Sequence, residues 1–158
     1  MRSNHPTDPR VAALLAEEES LGLRDIRSYG RFSVQVRQTK HELLAFLIDV
    51  KRAGKTICGY GAPGKGNTLL NYCGIGQDFL DFTVDRNPYK HGRFTPGMHI
   101  PIRDVEAIEQ AKPDYILILP WNLKQEIMLQ LNNVGRWGCR FIIPIPHVAV
   151  VHPLELTQ

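Results

Sequence analysis

The chain has 158 residues, 43% hydrophobic and 22% charged, which suits a globular domain with a core of its own and excludes wholesale disorder. Its formal charge of +3, from 19 Lys and Arg against 16 Asp and Glu, is too mild for a nucleic-acid binder, and no apolar run approaches the roughly 20 residues of a membrane span. Cys58, Cys73 and Cys139 form neither a CxxC pair nor a disulfide framework, and the polar start Met1-Arg2-Ser3-Asn4-His5-Pro6 lacks the apolar run of a secretory signal, so a cytoplasmic protein with reduced thiols is expected.

Residues 1–10 read as a loose lead-in. The spacing Val11, Leu14, Leu15, Leu21 predicts a helix with Glu17-Glu18-Glu19 on its wet side and Gly22 as its stop. A wider helical stripe follows at Phe32, Val36, Leu43, Leu44, Phe46, Leu47 and Val50, closed by Gly54. Residues 11–54 are therefore expected to form a helical segment packed on a domain that occupies 55–158. There the texture changes to short apolar runs alternating with helical stretches. Strands are expected at 56–60, 79–84, 115–119 and 140–143, with a short extended piece at 99–102. Helices are expected at 67–73, 104–111, where Asp104 suits an N-cap, and 123–134. Tyr115-Ile116-Leu117-Ile118-Leu119 is wholly apolar, as in a strand covered on both faces. Strands alternating with helices imply an α/β fold: a Rossmann-like parallel sheet of four to five strands flanked by helices and preceded by two N-terminal helices.

The segment richest in chemistry is Gly59-Tyr60-Gly61-Ala62-Pro63-Gly64-Lys65-Gly66-Asn67. Gly59, Gly61 and Gly64 match G-x-G-x-x-G between a strand and a helix, where bare backbone can approach a phosphate and the helix N-terminus favours its charge. Asp85, at the end of the next strand, stands where an acid could accept ribose hydroxyls. A glycine turn that only packs helix on strand is the alternative. Gly59, Gly64 and Lys65 also approach a P-loop, but Gly66 replaces the Ser or Thr that would hold magnesium. From Arg86 to Arg103 the chain carries Arg86, Lys90, Arg93 and Arg103 with two histidines and no acid, a stretch able to receive a pyrophosphate or to be a solvated basic loop. Pro120-Trp121-Asn122 follows the third strand at the carboxyl edge of the sheet, where a Trp face can stack on a base or sugar and Asn122 can donate and accept. The plainer reading makes Asn122 a helix N-cap and Trp121 packing. His147 leaves the fourth strand at the same edge. The six histidines lack metal-ligand spacing, so no metal is expected.

The run from Gly59 through Asn67-Thr68-Leu69-Leu70-Asn71-Tyr72 resembles the C-terminal domain of the S-adenosylmethionine-dependent sugar C-methyltransferases. Further matches are Phe82 to Pro88, Gly92-Arg93-Phe94, Pro96-Gly97, His99 to Ile102 and Pro113 to Leu123, and the likeness runs from about Val11 to His147. In that family a zinc-binding domain precedes a central domain with the methyl donor and the catalytic groups, and a second Rossmann-like domain helps hold the nucleotide-linked sugar. The resemblance covers only this last domain. It implies a nucleotide-sugar-binding part with ligand contacts among the glycine loop, Asp85, the basic stretch and the Trp121 edge, and no catalytic residues of its own. S-adenosylmethionine would be bound by a domain outside this sequence. The expected partners are a nucleotide-diphosphate sugar, a separate methyltransferase domain or protein, and a second copy in a homo-oligomer, with no nucleic acid and no membrane. By itself the chain is expected to transfer no methyl group. A small nucleotide-dependent transferase or oxidoreductase built on the same loop, and an interaction module without a ligand, are the alternatives.

Overall fold

A computed structural model describes residues 8–153 and resolves two compact units, Met1–Gln38 and Thr39–Gln158. The two units divide at 38/39, and Leu43, Leu47 and Val50 of the expected helical segment are core residues of the second unit. Of the described residues before 39, none is buried. The first helix, α1 (Pro9–Ser20), begins two residues earlier than its apolar spacing suggests. Asp8 accepts the N–H of Arg10, and Pro9 opens the first turn, where its missing N–H costs nothing. Pro9 and Arg10 thus leave the expected lead-in, and residues 1–7 lie outside the described residues. Helix α2 (Ile26–Arg52) likewise starts before Phe32.

The second unit holds a six-stranded sheet in the order β3-β2-β1-β4-β5-β6. Its members are β1 (Ile57–Tyr60), β2 (Thr83–Val84), β3 (Ile102–Arg103), β4 (Tyr115–Ile118), β5 (Arg140–Ile143) and β6 (Ala149–Val151). The first five are parallel and β6 returns antiparallel to β5. Strand β2 is shorter than expected because 76–80 turns back on itself, with Phe79 and Leu80 both donating to the Gly76 carbonyl. Strand β6 has no counterpart in the sequence reading, and the sheet has one strand more than expected.

Alternation along the strands builds two cores. Cys58, Tyr60, Val84, Ile116, Ile118 and Phe141 face α4 (Ala107–Ala111) and α5 (Lys124–Gln130). Ile57, Tyr115, Leu117 and Ile142 face the second half of α2 and α3 (Gly64–Cys73). The helix expected from Asp104 starts at Ala107, with Glu106 as its N-cap, and Asp104 accepts the N–H of Ala107 at 3.0 Å from the turn before it. The helix expected over 123–134 is three pieces: 3-10 turns at Trp121–Leu123 and Asn132–Trp137 flank α5. The three cysteines are free and buried, and burial pushes the Cys139 thiol up to about 12. Among the described residues no helix is long and apolar enough to cross a membrane.

Strand order reverses at β1, which has β2 on one side and β4 on the other. In open α/β sheets such a switch point opens a crevice at the carboxyl ends of the strands. The glycine loop leaves β1 and Pro120-Trp121-Asn122 leaves β4 at that place.

Candidate functional site: the carboxyl edge at the glycine loop

Each glycine of the loop answers a different constraint. A Cβ on Gly59 would lie 2.7 Å from Thr83 Oγ1, so strand β2 occupies that space. Gly61 has φ +86°, the left-handed region, and a Cβ there would lie 2.8 Å from Pro120 Cδ. Gly66 sits in the first turns of α3, where a Cβ would lie 2.8 Å from Leu119 Cβ. Gly64 is the exception, with nothing within 4 Å of an added Cβ. In dinucleotide folds the three glycines serve the turn, the phosphate approach and the helix-to-strand packing. Here Gly61 makes the turn, Gly66 lets the helix pack close to the strand end and Gly64 borders open space, so the constraints do not follow the literal match through Gly59.

Helix α3 begins at Gly64, three residues before its expected start, and its N-cap is Pro63, which offers no side-chain acceptor. The first-turn N–H groups therefore open toward the edge of the sheet without a side-chain cap. The loop itself is fixed from below. Thr83, fully buried, donates its hydroxyl to the Gly61 carbonyl at 2.9 Å, and the Gly61 N–H donates to Val84 O at 2.6 Å. Sequence reasoning missed Thr83; its signal was a lone hydroxyl inside the apolar run Phe82-Thr83-Val84.

Asp85 is turned inward to the loop. Its Oδ2 accepts the Ala62 N–H at 2.8 Å and the Lys90 ammonium at 2.8 Å, and its Oδ1 accepts the Asn87 N–H at 2.9 Å. Lys90 also donates to the Ala62 carbonyl at 3.2 Å. Burial works to raise the Asp85 pKa, but Lys90 and the two backbone N–H groups outweigh it and hold the carboxyl below its ordinary value. A carboxylate engaged in this way does not present the free pair of acceptors that a dinucleotide ribose takes.

Tyr60, Gly61, Pro63, Asp85, Arg86, Lys90 and Pro120 line one cleft of about 150 Å³, with Glu126 opposite Arg86 at 3.6 Å. Beside it Lys65 donates to Asn122 Oδ1 and lies 5.0 Å from the centre of the Trp121 ring. Asn122 thus holds a lysine, and the helix after it receives no side-chain cap. Trp121 is half-buried against both cores. Ala62 and Gly66 are buried scaffold, and Asn67 on α3 keeps a buried Oδ1 with no partner among the described residues. Arg93 is not brought to this edge cleft. It lines a separate one of about 370 Å³ with His91, Phe94 and Arg103. His147 stands 3.6 Å from Glu42.

Comparison with known proteins adds the ancestry. The model of the C-methyltransferase C-terminal domain matches residues 1–146. This chain belongs to that family. It is 38% identical over 149 residues to the C-methyltransferase NovU of Streptomyces niveus, a match covering 94% of this chain and 36% of that protein. The chain thus spans about a third of the length of the relative it matches. Among solved structures, UDP-D-quinovosamine 4-dehydrogenase from Vibrio fischeri aligns with a TM-score of 0.46 at 17% identity, over 66% of this chain and 98% of that one.

Proposed function

We propose that this domain binds the nucleotide-diphosphate sugar of a sugar C-methylation system, and that the diphosphate sits on the open first turn of α3. The observation that carries the reading is the contrast within one loop: Gly64 alone borders open space, at an uncapped helix N-terminus on the switch point of the sheet. Lys65 supplies a cation beside that turn and Trp121 an aromatic face. Family membership supports a role in methyl transfer to carbon.

The methyl donor and the base belong elsewhere in this reading. S-adenosylmethionine fits the edge poorly, because Asp85 is spent on Ala62, Asn87 and Lys90, and because Lys65 beside the turn faces an amide and an aromatic ring and not an acid. A sulfonium donor is repelled where a diphosphate is attracted. Carbon methylation also needs donor and acceptor held at roughly 3–3.5 Å with a base beside them. The purified 158-residue protein is expected to transfer no label from methyl-labelled S-adenosylmethionine to a deoxysugar nucleotide. Turnover would overturn the assignment of chemistry to another domain.

Titration calorimetry with thymidine and uridine diphosphates tests the site. Wild type should bind, and Gly64→Val should lose binding while staying folded by circular dichroism. Equal affinity in the two proteins would remove the diphosphate from α3.

A further inference from the structure

Two lysines stand beside the glycine loop, and their partners differ in kind. Lys90 is tied to a charge: Asp85 Oδ2 accepts from its ammonium at 2.8 Å, and the Ala62 carbonyl does so at 3.2 Å. Lys65 is exposed in the first turn of α3, and among the described residues no ion pair holds it. Its ammonium donates to Asn122 Oδ1 and stands over the Trp121 ring, 5.0 Å from the centre. A neutral amide oxygen and a ring face each hold a cation more weakly than an anion does. Lys90 is thus part of the scaffold, whereas Lys65 rests on contacts that an anion can outcompete.

The position itself calls for that anion. A lysine in the first turn of a helix lies at the positive end of the dipole, where acids are favoured. Helix α3 has no acid in that turn and no side-chain cap at Pro63. Positive charge therefore gathers there without an internal counterpart, a local mismatch of the kind that sequences keep at functional sites. Trp121 adds a second constraint. The ring packs against both cores and is half-buried, so part of it belongs to the fold. A flat ligand stacking on what is left has to share the ring with the Lys65 ammonium.

We infer that Asn122 and Trp121 hold Lys65 as an exchangeable cation. An arriving diphosphate draws the ammonium off both, and the uncovered Trp121 face then takes the sugar or base that the diphosphate carries. Asn122 is a positioning residue in this exchange. A neutral sugar or nucleoside without phosphate meets a ring already capped by a cation, so the anion enters first and the ring second. The exchange rests on the diphosphate reading of α3.

NMR titration of the whole chain with inorganic pyrophosphate tests it, read at the Gly64 amide and the Trp121 indole N–H. Lys65 and Asn122 are exposed, so variants at both keep the fold. Before pyrophosphate is added, Lys65→Met should displace the Trp121 indole resonance and leave that of Trp137, whose indole donates to the Pro113 carbonyl, in place. In wild type, pyrophosphate should move the Trp121 indole toward its Lys65→Met position, with the same Kd as the Gly64 amide. In Lys65→Met the amide should respond about tenfold more weakly and the indole should stay still. Asn122→Ala removes one hold on the lysine, so its Kd should equal that of wild type or be tighter. Asn122→Asp offers the ammonium an ion in place of an amide and should weaken Kd about fivefold. The same change should cost less in the Lys65→Met background, where only direct repulsion remains. A Trp121 indole unmoved by Lys65→Met, weaker binding in Asn122→Ala, or an Asn122→Asp cost no smaller without Lys65 would each overturn the exchange. A wild-type indole that stays still while the Gly64 amide shifts would overturn it and leave the diphosphate reading standing. Silence at both would remove that reading and the exchange with it.

Discussion

At Gly61 an added Cβ would meet Pro120 at 2.8 Å on a backbone at φ +86°, whereas at Gly64 it meets nothing within 4 Å. The same substitution should therefore report on different properties at the two positions. Gly61→Val is expected to destabilise the fold by about 2–4 kcal/mol, from backbone strain and overpacking together. Gly64→Val should stay within about 0.5 kcal/mol of wild type, as surface changes do, and urea denaturation of the two variants measures both values. The sequence made the loop legible, but the division of labour inside it was not. Which glycine faces solvent depends on where Pro120, Leu119 and Thr83 lie, and those neighbours arrive from strands 20 to 60 residues away in the sequence. Asp85 shows the same limit. Its position after β2 was readable, but its inward turn depends on Lys90, which the 3-10 turn Pro88–Lys90 carries back to it.

Burial on both faces made the central strands legible. Strands β1 and β4 are buried at every residue, and their apolar runs announced them. Strand β6 is three residues on an edge, mostly exposed, and follows a Pro-Ile-Pro-His segment, so no period could reveal it. The helix over 123–134 broke into pieces because Leu131 closes α5 and the Asn132–Trp137 turn carries Asn132, Asn133 and Gly135, all weak helix formers, while the apolar spacing runs on through them. Helix α2 changes character along its length: Leu43 and Leu47 are fully buried against the sheet unit. Leu47→Ala should cost about 2–5 kcal/mol in thermal or urea unfolding, the price of a core cavity. A loss under about 1 kcal/mol would mean that the second half of α2 is an appendage to the sheet.

Two carboxylates hold the centre of the whole sheet at its opposite ends. Asp85 secures the loop beyond β1, and Asp114 joins the starts of β1 and β4 by accepting the Thr56 N–H at 2.9 Å and the Lys55 ammonium at 2.9 Å. The Thr56 backbone bond leads in holding the Asp114 carboxyl below its ordinary value, and burial opposes it. Both groups have folded values below the unfolded value of about 3.9, so their stabilisation is complete well above that pH and is lost as pH falls through the folded values. The midpoint of thermal unfolding should be level from about pH 7 to 5 and fall below about pH 4, and Asp114→Asn should flatten that fall. An acid limb unchanged by Asp114→Asn would take this clamp out of the account. An amide-resolved NMR titration with thymidine diphosphate reads diphosphate binding at the switch point residue by residue. The largest shifts are expected at the N–H groups of Gly64, Lys65 and Gly66, with smaller ones at the Trp121 indole. Shifts confined to the His91–Arg103 cleft, or none at saturating nucleotide, would contradict it.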